Sequence, residues 1–177
     1  MALFIIGYMA SGKTTFGEAL AKRLNLPFID LDQYIETKYG STVSEIFARK
    51  GEAGFREIET DTLKEVAQNK DAIISCGGGT PCFNENMDII NSTGISVFLD
   101  ASIETLLSRL IVLNATRPLV AGKSPEEIEK IITEQLSRRL PFYTKAQIHW
   151  DSNHLDTEKE IQDNIDEFLQ KYPLQEF

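Results

Sequence analysis

Short runs of consecutive apolar residues alternate along the chain with longer amphipathic segments. The first run occupies residues 2–6 and ends at Gly7, and a continuous apolar run of this kind is typical of a strand buried on both faces in a parallel sheet. Similar runs lie at residues 28–31, 72–76, 96–99 and 148–150. Because amphipathic helical segments separate these runs, the pattern predicts an α/β fold with five strands.

Three helices are predicted to begin at capping boxes, in which a hydroxyl residue is followed three positions later by glutamate. Thr42, Ser124 and Thr157 each start such a pattern. Two segments cannot continue a helix or a strand because of their glycine and proline content. They are the Gly-Gly-Gly-Thr-Pro segment at residues 77–81 and the segment at residues 113–123, and both are predicted to be irregular loops.

Length and charge narrow the class of protein. The 177 residues, 42% of them hydrophobic, fit one domain over residues 1–177 with one core. The formal net charge of -9 argues against nucleic acid as a partner, since a phosphodiester backbone would be repelled. No stretch is long enough for a membrane-spanning helix and no signal-peptide pattern surrounds the apolar N-terminus, so a cytoplasmic protein with no membrane partner is expected.

The two cysteines do not change this expectation. Cys76 and Cys82 lack the paired spacing or neighbouring histidines of a zinc or redox site, and they are predicted to be free thiols.

A phosphate-binding motif follows the first predicted strand. Residues 7–14 fit G-x-x-x-x-G-K-[ST] and lie between a buried strand and an amphipathic helix, which is the position that this motif requires. Its backbone amides would surround the β-phosphate of ATP, Lys13 would reach the β- and γ-phosphates, and the Thr14 hydroxyl would bind Mg²⁺. The predicted nucleotide-binding residues here are Ala10, Ser11, Gly12, Lys13, Thr14 and Thr15.

Two aspartates follow the second predicted strand. In an extended backbone Asp30 and Asp32 would point to the same side, at the carboxyl edge of the sheet where open α/β folds bind ligands. One carboxylate could hold the metal, and the other could accept a proton from an attacking hydroxyl. The alternative is that Asp32 only N-caps a helix that begins near Gln33.

Three arginines are candidates for binding an anion. Arg56 lies three residues before Glu59, so a carboxylate could orient its guanidinium toward an anionic substrate, although most such pairs are surface pairs. Arg139 lies two residues before Pro141, which could kink its helix. Arg117 precedes Pro118 in the irregular loop and is either a lid arginine that closes on the phosphates or an exposed loop residue.

Taken in order, these segments resemble the shikimate kinases, a family of nucleoside-monophosphate-kinase-like P-loop enzymes. The resemblance runs from residue 3 to about residue 145. It rests on the phosphate-binding loop, the Asp30-x-Asp32 pair, Phe55-Arg56-x-x-Glu59, the Gly77-Gly78-Gly79 loop, and Arg117-Pro118-Leu119 followed by Arg139-x-Pro141-x-Tyr143.

The resemblance implies a P-loop NTPase fold in which a five-stranded parallel sheet is sandwiched between helices. It also implies an acceptor-binding region at about residues 33–60 and a mobile lid at about residues 111–123. The implied activity is transfer of the γ-phosphoryl group of Mg-ATP to the 3-hydroxyl of shikimate, in the biosynthesis of aromatic amino acids. One Mg²⁺ per subunit, bound with ATP, and a monomeric protein are expected.

The resemblance also implies roles for single residues. Asp30 would lie near Mg²⁺ and Asp32 would be the base, while Arg56 and Arg139 would bind the shikimate carboxylate beside the Gly77–Gly79 backbone. Lys13 and the lid residue Arg117 would act on the transferred phosphate. Arg109 and Asn153 are expected to contact the nucleotide at its adenine end.

Two alternatives remain open at this point. Another small-molecule kinase, such as a gluconate kinase, would share the phosphate-binding loop but has no need for two arginines directed at a carboxylate. A non-catalytic nucleotide-binding regulatory module has no need for Lys13, Thr14, Asp30 and Asp32 together, and all four are present.

Overall fold

The structure, a computed structural model, describes residues 2–113 and 120–173. Five strands form one sheet in the order β2-β3-β1-β4-β5, and every neighbouring pair is parallel. The strands are β1 Ala2–Ile6, β2 Phe28–Asp30, β3 Ile73–Ser75, β4 Gly94–Asp100 and β5 Ile148–Asp151. Each apolar run of the sequence coincides or overlaps with one of them, so the predicted five-stranded parallel sheet is confirmed.

Helices follow each of these strands along the chain. They are α1 Lys13–Leu24, α2 Leu31–Tyr39, α3 Val43–Val66, α4 Asn86–Thr93, α5 Ile103–Val112, α6 Pro125–Tyr143 and α7 Glu158–Lys171. The capping boxes at Thr42, Ser124 and Thr157 are all formed, with both reciprocal hydrogen bonds present. Of the two predicted loops, the segment at 77–81 is only partly irregular, because Thr80–Cys82 forms a 3-10 helix.

The central strand β1 divides the core into two layers. Phe4 and Ile6 pack on one face with residues of α3, α4, α5 and α6, whereas Leu3 and Ile5 pack on the other face with residues of α1 and α7. Successive side chains of a strand point to opposite faces, so this fully buried strand needs apolar residues at every position. Helices therefore cover both faces of the sheet, as the resemblance implied.

The topology fixes where a ligand can bind. The carboxyl ends of β1, β2 and β3 are neighbours at one edge of the sheet, since Ile5, Ser75 and Asp30 lie in register. The loop after β1 therefore lies beside the segments that follow β2 and β3. Within the described residues, no helix combines the length and the apolar character needed to cross a membrane.

Candidate active site

One cavity of about 1100 Å³ opens at this carboxyl edge. Its walls come from the segment after β1, from the ends of β2 and β3, and from α5 and the loop after β5. Among its lining residues are Lys13, Thr14, Asp30, Asp32, Gly77, Gly78, Arg109 and Asp156. The phosphate-binding loop and the two aspartates that the sequence singled out therefore face the same space.

The phosphate-binding loop ends in a left-handed glycine directly before α1. Gly12 has φ 92°, and a Cβ at this position would lie 2.7 Å from Leu155 Cδ1, so a larger residue would be both strained and crowded. Helix α1 begins directly after Gly12 with no side-chain cap and no acidic residue in its first turn. Its first N–H groups and its positive end are thus directed toward a ligand without a competing carboxylate.

Lys13 is held at the mouth of this loop. Its Nζ donates hydrogen bonds to the carbonyl oxygens of Gly7, at 3.0 Å, and Tyr8, at 2.8 Å. The ammonium is therefore folded back over the loop, where it can stabilise the negative charge of a bound phosphate.

The backbone of Ala10 is strained, because its φ of 62° is in the left-handed region. We expect Ala10→Gly to raise the free energy of unfolding by about 0.5 kcal/mol, because relief of about 1–2 kcal/mol of strain exceeds the added entropy of glycine in the unfolded chain. Urea unfolding of the two proteins measures the difference. Gly12→Ala is the opposed control and should destabilise the fold; a loss of stability in Ala10→Gly would contradict the strain at Ala10.

The two aspartates occupy different elements. Strand β2 ends at Asp30, whose carboxylate N-caps α2 by accepting a hydrogen bond from the Gln33 amide at 3.2 Å. Asp32 lies inside the first turn of α2. The strand-based reason for placing both carboxylates on one side was therefore wrong, as was the alternative that Asp32 is the cap. They reach the same cavity because the helix starts at Leu31.

Asp32 is the most perturbed carboxylate of the cavity. Burial, together with the nearby carboxylates of Asp30 and Glu59, raises the pKa of Asp32 from 3.8 to about 6, against the opposing effect of Lys13. A carboxylate with a pKa close to neutrality can accept a proton and release it again near physiological pH, which suits a general base.

This pKa predicts the acid limb of the activity profile. A base must be deprotonated, so kcat/KM should be constant above pH 7 and should fall about tenfold per pH unit below about pH 6. The profile is measured from pH 4.5 to 8.5 with both substrates below their KM. An acid limb that extends unchanged to pH 4.5 would contradict a raised pKa at Asp32.

Arg56 is fixed by buried partners. Its Nη1 donates to Glu59 Oε2 at 2.7 Å, and the side chains of Arg56 and Glu59 are only 13% and 1% exposed. Glu59 in turn accepts from the buried Thr80 hydroxyl at 2.6 Å, and the Arg56 guanidinium lies 4.1 Å from the Phe83 ring centroid. The surface-pair alternative is therefore wrong for Arg56, because the pair is inside the protein.

The triple-glycine loop touches a different polar side chain at each position. A Cβ at Gly77 would lie 2.9 Å from Asp32 Oδ1, one at Gly78 would lie 3.2 Å from Arg139 Nη1, and one at Gly79 would lie 2.6 Å from Arg56 Nη2. Side chains at these positions would displace the carboxylate and both guanidinium groups. The loop thus brings together the residues that the sequence placed on the acceptor.

Arg139 lies on α6, which continues through Pro141 as far as Tyr143. Its guanidinium carbon is 5.5 Å from the centroid of the Tyr8 ring, inside the phosphate-binding loop. Its neighbour Arg138 is exposed, whereas Arg139 is half-buried. Arg139 therefore adjoins both loops of the site.

The two residues predicted at the adenine end have different surroundings. Arg109 lines the cavity, where its Nε donates to Asp156 at 2.7 Å and its Nη2 donates to the Ser152 carbonyl at 3.0 Å. The Asn153 side chain is instead used within the protein, since its Oδ1 accepts from the Ser102 amide and the Thr105 hydroxyl. In this loop the cavity wall is formed by Leu155 and Asp156, which the sequence analysis missed.

Arg117 and residues 114–119 of the predicted lid lie outside the described residues. The role of Arg117 stays a prediction.

Sequence reasoning predicted no role for two polar residues that support the site, although both lie in segments that it singled out. Thr80 and Tyr143 are completely buried, and each hydrogen-bonds a site element, Glu59 and the triple-glycine loop respectively. The signal for Thr80 was its place directly after three glycines. No local pattern pointed from Tyr143 to Gly78, because the two are 65 residues apart in the chain.

Comparison with known proteins gives a consistent result. The family model for shikimate kinase matches residues 9–170. The shikimate kinase of Parabacteroides distasonis is 50% identical over 161 residues, which cover 91% of this chain and 93% of that protein. The crystal structure of shikimate kinase from Bacteroides thetaiotaomicron is similar with a TM-score of 0.94 and 42% identity, covering 100% of this chain and 99% of that one.

A second solved structure bears on the ligand. Shikimate kinase from Acinetobacter baumannii, in complex with shikimate, is similar with a TM-score of 0.82 and 31% identity, and the match covers 98% of this chain and 93% of that one.

Proposed function

Because the chain belongs to the shikimate kinase family, we propose that its cavity works as two adjoining halves, one for ATP and one for shikimate. The family activity is transfer of the γ-phosphoryl group of ATP to the 3-hydroxyl of shikimate, in aromatic amino-acid biosynthesis. The relatives reported above are shikimate kinases, which decides against a gluconate kinase and against a non-catalytic module. The observation that supports the two halves is the single cavity shared by Lys13, Thr14, Asp32 and Gly78.

The nucleotide half is the phosphate-binding loop. Its support is the uncapped start of α1 and the loop before it, where the backbone N–H groups of Ala10 and Gly12 can bind the β-phosphate; the Ser11 amide donates to the Tyr8 carbonyl at 3.2 Å and holds the loop in shape. Lys13 neutralises phosphate charge, and Thr15, which also lines the cavity, binds the α-phosphate. Arg109, held by hydrogen bonds to Asp156 and Ser152, forms the wall at the adenine end. Asn153 contributes by holding the loop that carries Leu155 and Asp156.

We propose that Thr14 and Asp30 would hold one Mg²⁺ per subunit, bound together with ATP. A hydroxyl and a carboxylate oxygen are ligands that Mg²⁺ accepts, and both residues line the cavity beside Lys13. Few protein ligands suffice, since Mg²⁺ in such sites keeps several waters and binds the substrate phosphates. When bound, the ion neutralises the charge that develops on the transferred phosphoryl group.

The acceptor half consists of the glycine loop and the three side chains that approach it. Asp32 lines the cavity with Gly77 and Gly78, whereas Arg56 and Arg139 lie next to it, against Gly79 and Gly78. Arg56 and Arg139 supply two planar guanidinium groups, which match a carboxylate in geometry and charge. Asp32, on the side of the loop at Gly77, accepts the proton of the attacking hydroxyl. With the carboxylate bound at one end, the hydroxyl is held in reach of the phosphate at the other, which lowers the entropic part of the barrier.

Three further features belong to the same proposal. Arg117 stabilises the transferred charge when the lid closes, and closure excludes water. Within this proposal the protein acts as a monomer. It works in the cytoplasm, where the two free thiols would stay reduced. Light scattering coupled to size-exclusion chromatography measures the molar mass in solution, which should be that of one chain.

The metal assignment is tested by measuring ADP release with shikimate over a range of Mg²⁺ concentrations. We expect no turnover in EDTA, full recovery on adding Mg²⁺, and a requirement for more Mg²⁺ in Thr14→Ala, which lacks one ligand. If the parent protein turned over equally fast in EDTA and in Mg²⁺, the requirement for a metal ion would be contradicted. An unchanged Mg²⁺ dependence in Thr14→Ala would contradict only the role of Thr14.

A further inference from the structure

Tyr143 forms an unusual contact at the end of α6. Its hydroxyl donates a hydrogen bond of 2.5 Å to the backbone carbonyl of Gly78, the middle residue of the glycine loop. The side chain is 0% exposed, and its ring packs against Phe98 with 5.2 Å between centroids. A phenol this deeply buried usually needs a partner for its hydroxyl, and here the partner is the acceptor loop.

One face of α6 contacts both loops of the site. Gln135, Arg139 and Tyr143 are spaced four residues apart, so they lie along one side of the helix. The Gln135 side-chain oxygen accepts a hydrogen bond of 3.1 Å from the Tyr8 hydroxyl in the phosphate-binding loop. Arg139 lies beside Tyr8 and Gly78, and Tyr143 holds the carbonyl of Gly78.

The glycine loop, the phosphate-binding loop and helix α6 approach one another at Gly78. A Cβ on it would lie 3.4 Å from the Gly7 carbonyl oxygen and 3.6 Å from the Met9 amide nitrogen, as well as 3.2 Å from Arg139. A shift of the loop at Gly78 would therefore change the space beside Arg139 at once. Packed protein interiors transmit such shifts because they contain few voids.

We propose that Tyr143 is a positioning residue of the acceptor site, which acts through the glycine loop to keep Gly78 and Arg139 in the geometry that binds shikimate. This inference rests on the proposed acceptor half of the cavity. Tyr143 touches neither substrate in it; its hydroxyl holds the Gly78 carbonyl and also interacts with the Arg139 side chain, so its effect passes through the loop backbone and through that arginine. Burial raises the pKa of Tyr143, so the phenol remains a hydrogen-bond donor throughout the range in which the enzyme can work.

Tyr143→Phe tests the proposal, since it removes one oxygen and keeps the packed ring. We expect the KM for shikimate to rise roughly tenfold, as for the loss of one buried hydrogen bond that leaves its acceptor unpaired, and the KM for ATP to change by less than about twofold. Ser96→Ala is the matched control. It removes a completely buried hydroxyl that hydrogen-bonds Asn91 and Gln147 away from the cavity.

A merely structural role would make the two variants alike. Both should lower the melting temperature, but only Tyr143→Phe should change the KM for shikimate. An unchanged shikimate KM in Tyr143→Phe, with the parent protein active, overturns the proposal. A parent protein that shikimate does not stimulate would instead overturn the proposed function.

Two further measurements locate the effect. In a double-mutant cycle, Tyr143→Phe should raise the shikimate KM much less in an Arg139→Ala background, because the residue acts on the geometry around that arginine. Fully additive effects of the two substitutions on the shikimate KM would contradict an action of Tyr143 on the geometry around Arg139. Amide hydrogen exchange should become faster at residues 77–80 in Tyr143→Phe while β1 stays protected. Faster exchange in β1 as well would show a global loss of stability and overturn the positioning role.

Discussion

Asp32→Asn is expected to lower kcat for shikimate phosphorylation by about 10²–10⁴-fold, the usual contribution of a general base. The amide fills the same space beside Gly77 but cannot accept the proton of the attacking hydroxyl. ATP binding should be preserved, since the phosphate-binding loop is untouched. Steady-state kinetics and calorimetric titration with a non-hydrolysable ATP analogue measure the two properties. Asp61→Asn is the control, because this aspartate is exposed on α3 and lies outside the cavity.

The same variant should be more stable than the parent protein. The folded-state pKa of Asp32, about 6, lies above the unfolded value near 3.8, so above pH 6 the folded protein carries a carboxylate that burial destabilises. Removing this charge should stabilise by at most about 3 kcal/mol. The gain should be fully present at pH 8 and should shrink as pH falls through 6, because the parent then becomes protonated as well.

Thermal melts at pH 8 and pH 4.5 measure this difference. Near-normal turnover by Asp32→Asn would contradict the role of Asp32 as the general base. A variant that is inactive and also less stable than the parent at pH 8 would show that Asp32 holds the fold together, which would contradict the strain assigned to its charge.

Arg139→Ala is expected to raise the KM for shikimate by about 10- to 100-fold, because a charge-assisted hydrogen bond contributes about 1.5–3 kcal/mol. The KM for ATP should change far less. Arg138→Ala, which removes the exposed arginine next to it, should leave both constants near their parent values. The shikimate KM of Arg139→Lys should lie between those of the parent protein and Arg139→Ala, since lysine keeps the charge but loses the planar guanidinium group.

Initial rates with each substrate varied in turn give these constants. Equal increases in both KM values would place Arg139 on the nucleotide instead of the acceptor. A similar effect of Arg138→Ala would mean that general positive charge on α6, and not the position of one guanidinium, attracts shikimate.

The parts of this structure that sequence reasoning predicted are those set by local patterns. The strand at residues 2–6 is recognisable because burial on both faces requires apolar residues at every position. The phosphate-binding loop is recognisable because its glycines and Lys13 meet steric and charge demands within eight consecutive residues. The capping boxes at Thr42, Ser124 and Thr157 are equally local.

The parts that were missed depend on contacts between distant segments or on the exact end of an element. A strand end one residue earlier than predicted places Asp32 on a helix, and the two-residue alternation used to orient it then no longer applies. The contact between Tyr143 and Gly78 joins the end of α6 to the loop after β3, and no pattern in either segment encodes it. The Asn153 side-chain oxygen accepts hydrogen bonds from Ser102 and Thr105 at the start of α5, and these contacts too join segments that are distant in the chain.

The most direct test of the account is ADP release by the purified protein with Mg-ATP and one acceptor at a time: none, shikimate, gluconate or a nucleoside monophosphate. We predict strong stimulation by shikimate alone, with transfer of one phosphoryl group to its 3-hydroxyl, and loss of that stimulation in Asp32→Asn while ATP still binds. Equal release with every acceptor, or stimulation by gluconate in place of shikimate, would contradict the assignment of Arg56, Arg139 and the glycine loop to shikimate.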